Sequence, residues 1–152
     1  MTTPELLEVT ACPTAVVRGT VPVTDLPAFF DRAYSVLPGT VSGQGVTVTG
    51  PAFALYRGPL TTTADLETGF PTDREVTPDG DVVAGSLPAC RVARVVHAGS
   101  FDGLGAAWQR LGEWVAAQGL RGGDVFWEVY LTEPSPDMDP ADLRTELNMP
   151  VI

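Results

Sequence analysis

Phe126-Trp127-Glu128-Val129-Tyr130-Leu131 and Phe53-Ala54-Leu55-Tyr56-Arg57 each carry a tyrosine and run into a turn, at Glu133-Pro134 and Gly58-Pro59 respectively. Aromatic and β-branched runs that end at such signals read as strands. The surroundings of the two runs match as well. Upstream, Ala15-Val16-Val17-Arg18-Gly19 and Val92 to Gly99 alternate like strands and end at glycine. A helical pattern follows each. Leu26, Phe29, Phe30, Ala33 and Leu37 share one face after Thr24 or Asp25 as cap, with Pro38-Gly39 as the stop. Leu104, Trp108, Leu111 and Val115 do the same after Ser100 or Asp102, ending at Gly119. Downstream, Asp65-Leu66-Glu67-Thr68-Gly69-Phe70 and Asp142-Leu143-Arg144-Thr145-Glu146-Leu147 both open Asp-Leu-x-Thr and run on to Pro71 and Pro150. Matching positions lie about 74 to 79 residues apart, half the chain.

This order predicts an α+β fold: a strand–helix–strand–strand unit used twice, its antiparallel strands packed under two helices. The first repeat covers about residues 5–75 and the second about 82–152 of a single domain spanning 1–152. Val82 to Leu87 adds a strand ahead of the second repeat.

Composition removes many functions. The chain has 152 residues, 44% of them hydrophobic, which excludes a disordered segment. Nineteen acids face nine bases, for a net charge of −10, so direct binding of nucleic acid is not expected. All nine bases are arginine. Without lysine there is no Schiff-base chemistry and no lysine-dependent phosphate loop. Cys12 and Cys90 stand far apart, and His97 is the sole histidine, so neither a metal nor a cofactor is expected. The longest apolar runs are about four or five residues, too short to span a bilayer. The first residues carry no secretory pattern, and the expected location is cytoplasmic. The arginine, alanine, valine and glycine bias suggests a GC-rich bacterial genome.

Common catalytic signatures fail on their spacing. Gly103-Leu104-Gly105-Ala106-Ala107-Trp108 places a tryptophan where a dinucleotide fingerprint needs a small residue. Gly99-Ser100 lacks the flanking glycine of a nucleophile elbow. Asp137 and Asp139, in Ser135-Pro136-Asp137-Met138-Asp139-Pro140, read as a solvated turn rather than a calcium loop.

Glu128 stands out. By strand alternation Trp127, Val129 and Leu131 share one face, expected to be the helix-covered core, and Phe126, Glu128 and Tyr130 share the other. Aligning the repeats on their tyrosines sets Glu128 against Ala54 and Tyr130 against Tyr56, so the architecture does not itself require an acid there. A carboxylate among aromatics is costly unless paired. Two readings remain open: an exposed or arginine-paired glutamate, or an anionic anchor for a cationic ligand between aromatic walls.

The segments Val96 to Asp102, Trp108 with Leu111 and Trp114, Trp127-Glu128-Val129-Tyr130-Leu131 and Leu143 to Pro150 resemble the GyrI-like small-molecule-binding domain. This domain is also the effector-binding half of BmrR-type and several AraC-type regulators. Gly50 to Tyr56 and Asp65 to Pro71 fit its first repeat. The resemblance implies two halves related by a pseudo-twofold axis, a ligand cleft between them, and Glu128 as the acid that meets lipophilic cationic drugs. It also implies, from free-standing relatives, an alternative as hydrolases that open the cyclopropane ring of DNA-alkylating natural products, with Glu128 and Tyr130 as catalytic residues. Where many members read Gly-Pro-Tyr, this chain has Gly99-Ser100-Phe101.

The candidate ligand-binding set is therefore Glu128, Tyr130, Tyr56, Trp108, Phe126, Phe53 and Phe70. His97 reads as a turn residue, Trp114 as structural and Glu67 as solvated or paired. Three functions follow: binding of aromatic, often cationic, small molecules; hydrolysis of a strained ring; or protein interaction, such as gyrase modulation. No helix-turn-helix pattern is read, so direct transcriptional control would need a partner chain.

Overall fold

β2 (Cys12–Pro22), with eleven residues, is the longest strand of the computed structural model, which describes residues 3–58, 61–132 and 137–152. The other elements are β1 (Glu5–Val9), α1 (Leu26–Gly43), β3 (Phe53–Arg57), β4 (Thr63–Pro71), β5 (Val82–Leu87), β6 (Cys90–Ala98), α2 (Leu104–Ala117), β7 (Val125–Tyr130) and β8 (Arg144–Pro150). The turns expected at Pro59 and Glu133-Pro134, and the Ser135-Pro136 pair, lie outside the described residues. No helix among those residues is long and apolar enough to cross a membrane.

The expected α+β duplication is present, in two units. In Thr10–Ala89 the strand order is β3-β4-β2-β5, and in Cys90–Ile152 together with β1 it is β1-β6-β8-β7. Every strand pairing within the two units is antiparallel. Thus β5 stays with the first unit, covering the edge of β2 that β4 leaves open, and β1 covers the equivalent edge of β6. Both central strands thereby have their backbone groups paired on both sides.

Each helix buries one stripe. In α1 this is Phe29, Ala33, Leu37 and Val41, spaced by four. In α2 it is Ala107, Leu111 and Val115, which meet Ala93 and Leu147 of the sheet. Close approach to α1 is possible because β2 carries Gly19, where a β-carbon would come 2.8 Å from the Phe29 ring. A β-carbon on Gly69 would collide with the Ala15 carbonyl of the neighbouring strand.

Three local expectations are corrected. Helix α1 does not stop at Pro38-Gly39 but runs on to Gly43 with Pro38 inside it. The proline faces solvent while Leu37 and Val41 stay buried, so packing outweighs the ~3 kcal/mol that an interior proline costs. Neither helix start has a side-chain cap: 3₁₀ turns at Val23–Asp25 and Phe101–Gly103 precede them, and the carbonyls of Val23 and Phe101 accept from the Leu26 and Leu104 N–H groups. Finally, the Asp-Leu-x-Thr motifs are not equivalent. Tyr56 lies opposite Leu66, whereas Tyr130 lies opposite Thr145. The motifs are two residues out of step, an even slip that keeps every side chain on its face.

Candidate functional site

Register decides which side chains share a face. In the second unit His97, Thr145 and Tyr130 form one cross-strand row, and Val95, Leu147 and Glu128 form the next. Leu147 belongs to the core beneath α2, so Glu128, Tyr130 and Phe126 lie on the helix side of β7. This reverses the expected faces. Trp127 is 3% exposed and lies opposite Asn148 on the far side, and Leu131, expected in the core, follows the strand at 43% exposure. Both faces of β7 carry buried side chains, so hydrophobicity alone could not tell them apart.

Glu128 is 7% exposed, and both of its oxygens are used. The Trp108 indole Nε1–H, arriving from α2, donates to Oε2 at 2.8 Å. The Tyr130 hydroxyl, two residues along the same strand, donates to Oε1 at 2.9 Å. Among the described residues no arginine or histidine nitrogen lies within 4.0 Å of this carboxylate. Burial raises its pKa, opposed by the two hydrogen bonds and by the charge of His97. Aromatic rings enclose the group: Phe126 packs edge-on against Trp108 at 4.9 Å, and Phe101 against Tyr130 at 6.0 Å.

The other buried acid among the described residues is treated differently. Glu67, 1% exposed, holds Arg18 Nε at 2.7 Å and Arg57 Nη2 at 3.1 Å, both on Oε2. Its counterpart by register is Glu146, which pairs with Arg94 Nε at 3.2 Å and accepts from the Asn148 amide. Both lie on the sheet faces away from the helices. Glu128 alone of the three has neutral donors and no guanidinium.

Of the sequence-derived set, Glu128, Trp108, Tyr130 and Phe126 are therefore brought together. Tyr56 is buried on the helix side of its own unit, opposite Leu66. Phe70 is also on that side, edge-on to Tyr34 at 5.5 Å. Phe53 is buried on the opposite face of β3 from Tyr56, in line with Leu55. His97 accordingly occupies a strand end, its Nε2 donating to the Ser100 carbonyl at 3.0 Å.

Sequence reasoning missed Phe101, Thr145 and Tyr34. Tyr34 reaches from α1 to the Thr68 hydroxyl at 2.6 Å, much as Trp108 reaches from α2 to Glu128, and burial pushes its pKa up to about 12. The only signal for Tyr34 was its place on α1, one residue off the buried stripe. No cluster of three or more potential metal ligands occurs among the described residues.

The family model for the GyrI-like small molecule binding domain matches residues 2–152. No curated protein is matched by sequence. Among solved structures, EcmrR in a complex with DNA superposes with a TM-score of 0.86 at 23% identity, covering 98% of this chain and 57% of that one. The chain thus spans a little over half the length of EcmrR. SAV2435 bound to tetraphenylphosphonium gives 0.70 at 13% identity, over 99% of this chain and 94% of that one. A hydrolase from Listeria innocua gives 0.70 at 15% identity, over 98% and 91%. At these identities the likeness is one of fold.

Proposed function

This chain belongs to the GyrI-like small-molecule-binding family, and we propose that it binds flat, lipophilic, cationic aromatic compounds at Glu128. One observation carries the reading: a buried carboxylate held by two neutral donors and left without a cation, where the two glutamates on the opposite sheet faces, Glu67 and Glu146, each have an arginine. Trp108, Phe126, Tyr130 and Phe101 supply rings whose faces attract and stack on such a ligand. The corresponding position of the first repeat is Ala54, so the acid serves recognition rather than folding. The tetraphenylphosphonium bound to SAV2435 is a ligand of this chemistry. A thermal-shift screen of aromatic cations against neutral isosteres tests the proposal. Cations should raise the melting temperature and neutral analogues should not; equal shifts would refute it.

A second reading is hydrolysis, favoured by the raised pKa of Glu128 beside the Tyr130 hydroxyl and by the fold shared with the Listeria hydrolase. Glu128 would take a proton from water as the water oxygen bonds to a strained ring carbon. The released carbon–carbon electron pair would pass to a conjugated oxygen near Tyr130 and be protonated there. The product is the substrate plus one water. Mass analysis of any stabilising ligand separates the two: an unchanged mass supports binding, a gain of one water supports turnover.

A further inference from the structure

The row beside Glu128 contains a second unexplained polar group. Thr145 is 0% exposed, and its Oγ1 has no hydrogen-bond partner. It lies on the helix side of β8, between His97 on β6 and Tyr130 on β7, one row from Glu128. A buried hydroxyl without a partner is destabilising, and valine has nearly the same shape. The first repeat shows that the fold has no need of it. There the equivalent row is Gly19, Leu66 and Tyr56, and the apolar Leu66 is fully buried. The hydroxyl of Thr68, one row away in that unit, is satisfied by protein: it donates to the Phe53 carbonyl at 2.8 Å and meets Tyr34 Oη at 2.6 Å. Across these two rows the second unit departs from its copy at four positions: Glu128 for Ala54, Thr145 for Leu66 and His97 for Gly19 add a polar group, and Leu147 for Thr68 removes one. The three polar gains cluster on the face that carries the aromatic rings, next to Glu128 and Tyr130.

We propose that Thr145 is a second recognition point of the Glu128 site, and that the physiological ligand is an aromatic cation bearing a hydroxyl, ether or carbonyl oxygen. This rests on the reading of Glu128 as a cation anchor and adds the ligand's second functional group. Diagonal neighbours on adjacent strands stand about 7–8 Å apart, so the oxygen sits roughly one aromatic ring from the charge. The threonine hydroxyl both donates and accepts, so it suits an oxygen of either kind. His97 does not compete for it through Nε2, which is committed to the Ser100 carbonyl. Phe101, 42% exposed and edge-on to Tyr130, stands over the same row as an outer wall.

The test uses tetraphenylphosphonium and its meta- and para-hydroxyphenyl analogues, titrated calorimetrically into wild type, Thr145→Val, Thr145→Ser and Glu128→Gln. Wild type should bind a hydroxylated analogue about tenfold more tightly than the parent cation. Thr145→Val should erase that preference, hold the parent's affinity within about twofold, and melt about 2–4 °C higher because the orphan hydroxyl is gone. Thr145→Ser should keep the preference. No preference in wild type, or one that survives in Thr145→Val, overturns the proposal while leaving the cation reading intact. If the parent cation binds Glu128→Gln as well as it binds wild type, or binds neither, the cation reading fails and this inference fails with it.

Discussion

Glu128→Gln is the substitution that separates charge from shape. The glutamine carbonyl oxygen can accept from Trp108, which can only donate, while its amide donates to Tyr130 with the phenol hydroxyl turned round. Both hydrogen bonds survive, and only the charge is lost. A charge-assisted contact to a cation in a partly dry site is worth about 1.5–3 kcal/mol, so aromatic cations should bind roughly 10- to 150-fold more weakly, and neutral aromatics should be little changed. Stability moves the other way. Burial raises the Glu128 pKa in the folded state, so its protonated form favours folding and that contribution is lost as pH rises through the folded pKa. The variant has nothing to lose: near pH 4 it should match wild type, and at neutral pH it should be more stable by about 1–3 kcal/mol. A bound cation favours the ionised carboxylate, so wild-type affinity for cations should climb with pH across the same range and binding should release protons. Calorimetry in two buffers of different ionisation enthalpy, with denaturant melts at acidic and neutral pH, reads all of these effects. Equal weakening of cationic and neutral ligands would remove the charge argument. No weakening of either would remove Glu128 from the site.

Three further outcomes follow from the fold. Replacing both Arg18 and Arg57 by methionine strands the buried Glu67 carboxylate and should cost ~3 kcal/mol in urea melts, with either single change below about 1 kcal/mol because each guanidinium is half in water. Gly69→Ala forces a β-carbon into the Ala15 carbonyl and should cost more than about 4 kcal/mol, enough to prevent soluble expression; a well-folded variant would show that β2 and β4 can separate there. Pro38→Ala returns an N–H to the solvent face of α1 and should raise stability by up to ~3 kcal/mol, and an unchanged melting temperature would mean that the helix bends around the proline without loss.

The duplicated order of elements was legible because each half repeats its own punctuation: a glycine-ended strand, a stripe of apolar residues spaced for a helix, a tyrosine strand, then a proline-ended strand. The faces were not legible. Trp127, Val129 and Leu131 outweigh Phe126, Glu128 and Tyr130 in apolar character, and the usual inference puts the heavier set under the helix. It fails because Trp127 and Glu128 are both buried, on opposite sides of one strand. Cross-strand neighbours were equally hidden, since they depend on register. Asp-Leu-x-Thr looked like an anchor for aligning the repeats, yet matching Thr68 with Thr145 conceals that Thr145 stands where the first copy has Leu66. Aligned on the rows, the copies differ at four positions, three that gain a polar group in the second copy and one, Leu147 for Thr68, that loses it. The first fills its helix-side face with Gly19, Leu66 and Ala54 and satisfies the Thr68 hydroxyl through Tyr34, while its own unpartnered buried hydroxyl, Thr14, lies on the other face of β2. The second carries a histidine, an unpartnered threonine and an acid without a cation on the same framework. Duplication thus supplies an internal comparison: one copy shows that this framework packs with Ala54, Leu66 and Gly19, and the proposed ligand site is the reason for the costlier Glu128, Thr145 and His97 of the other.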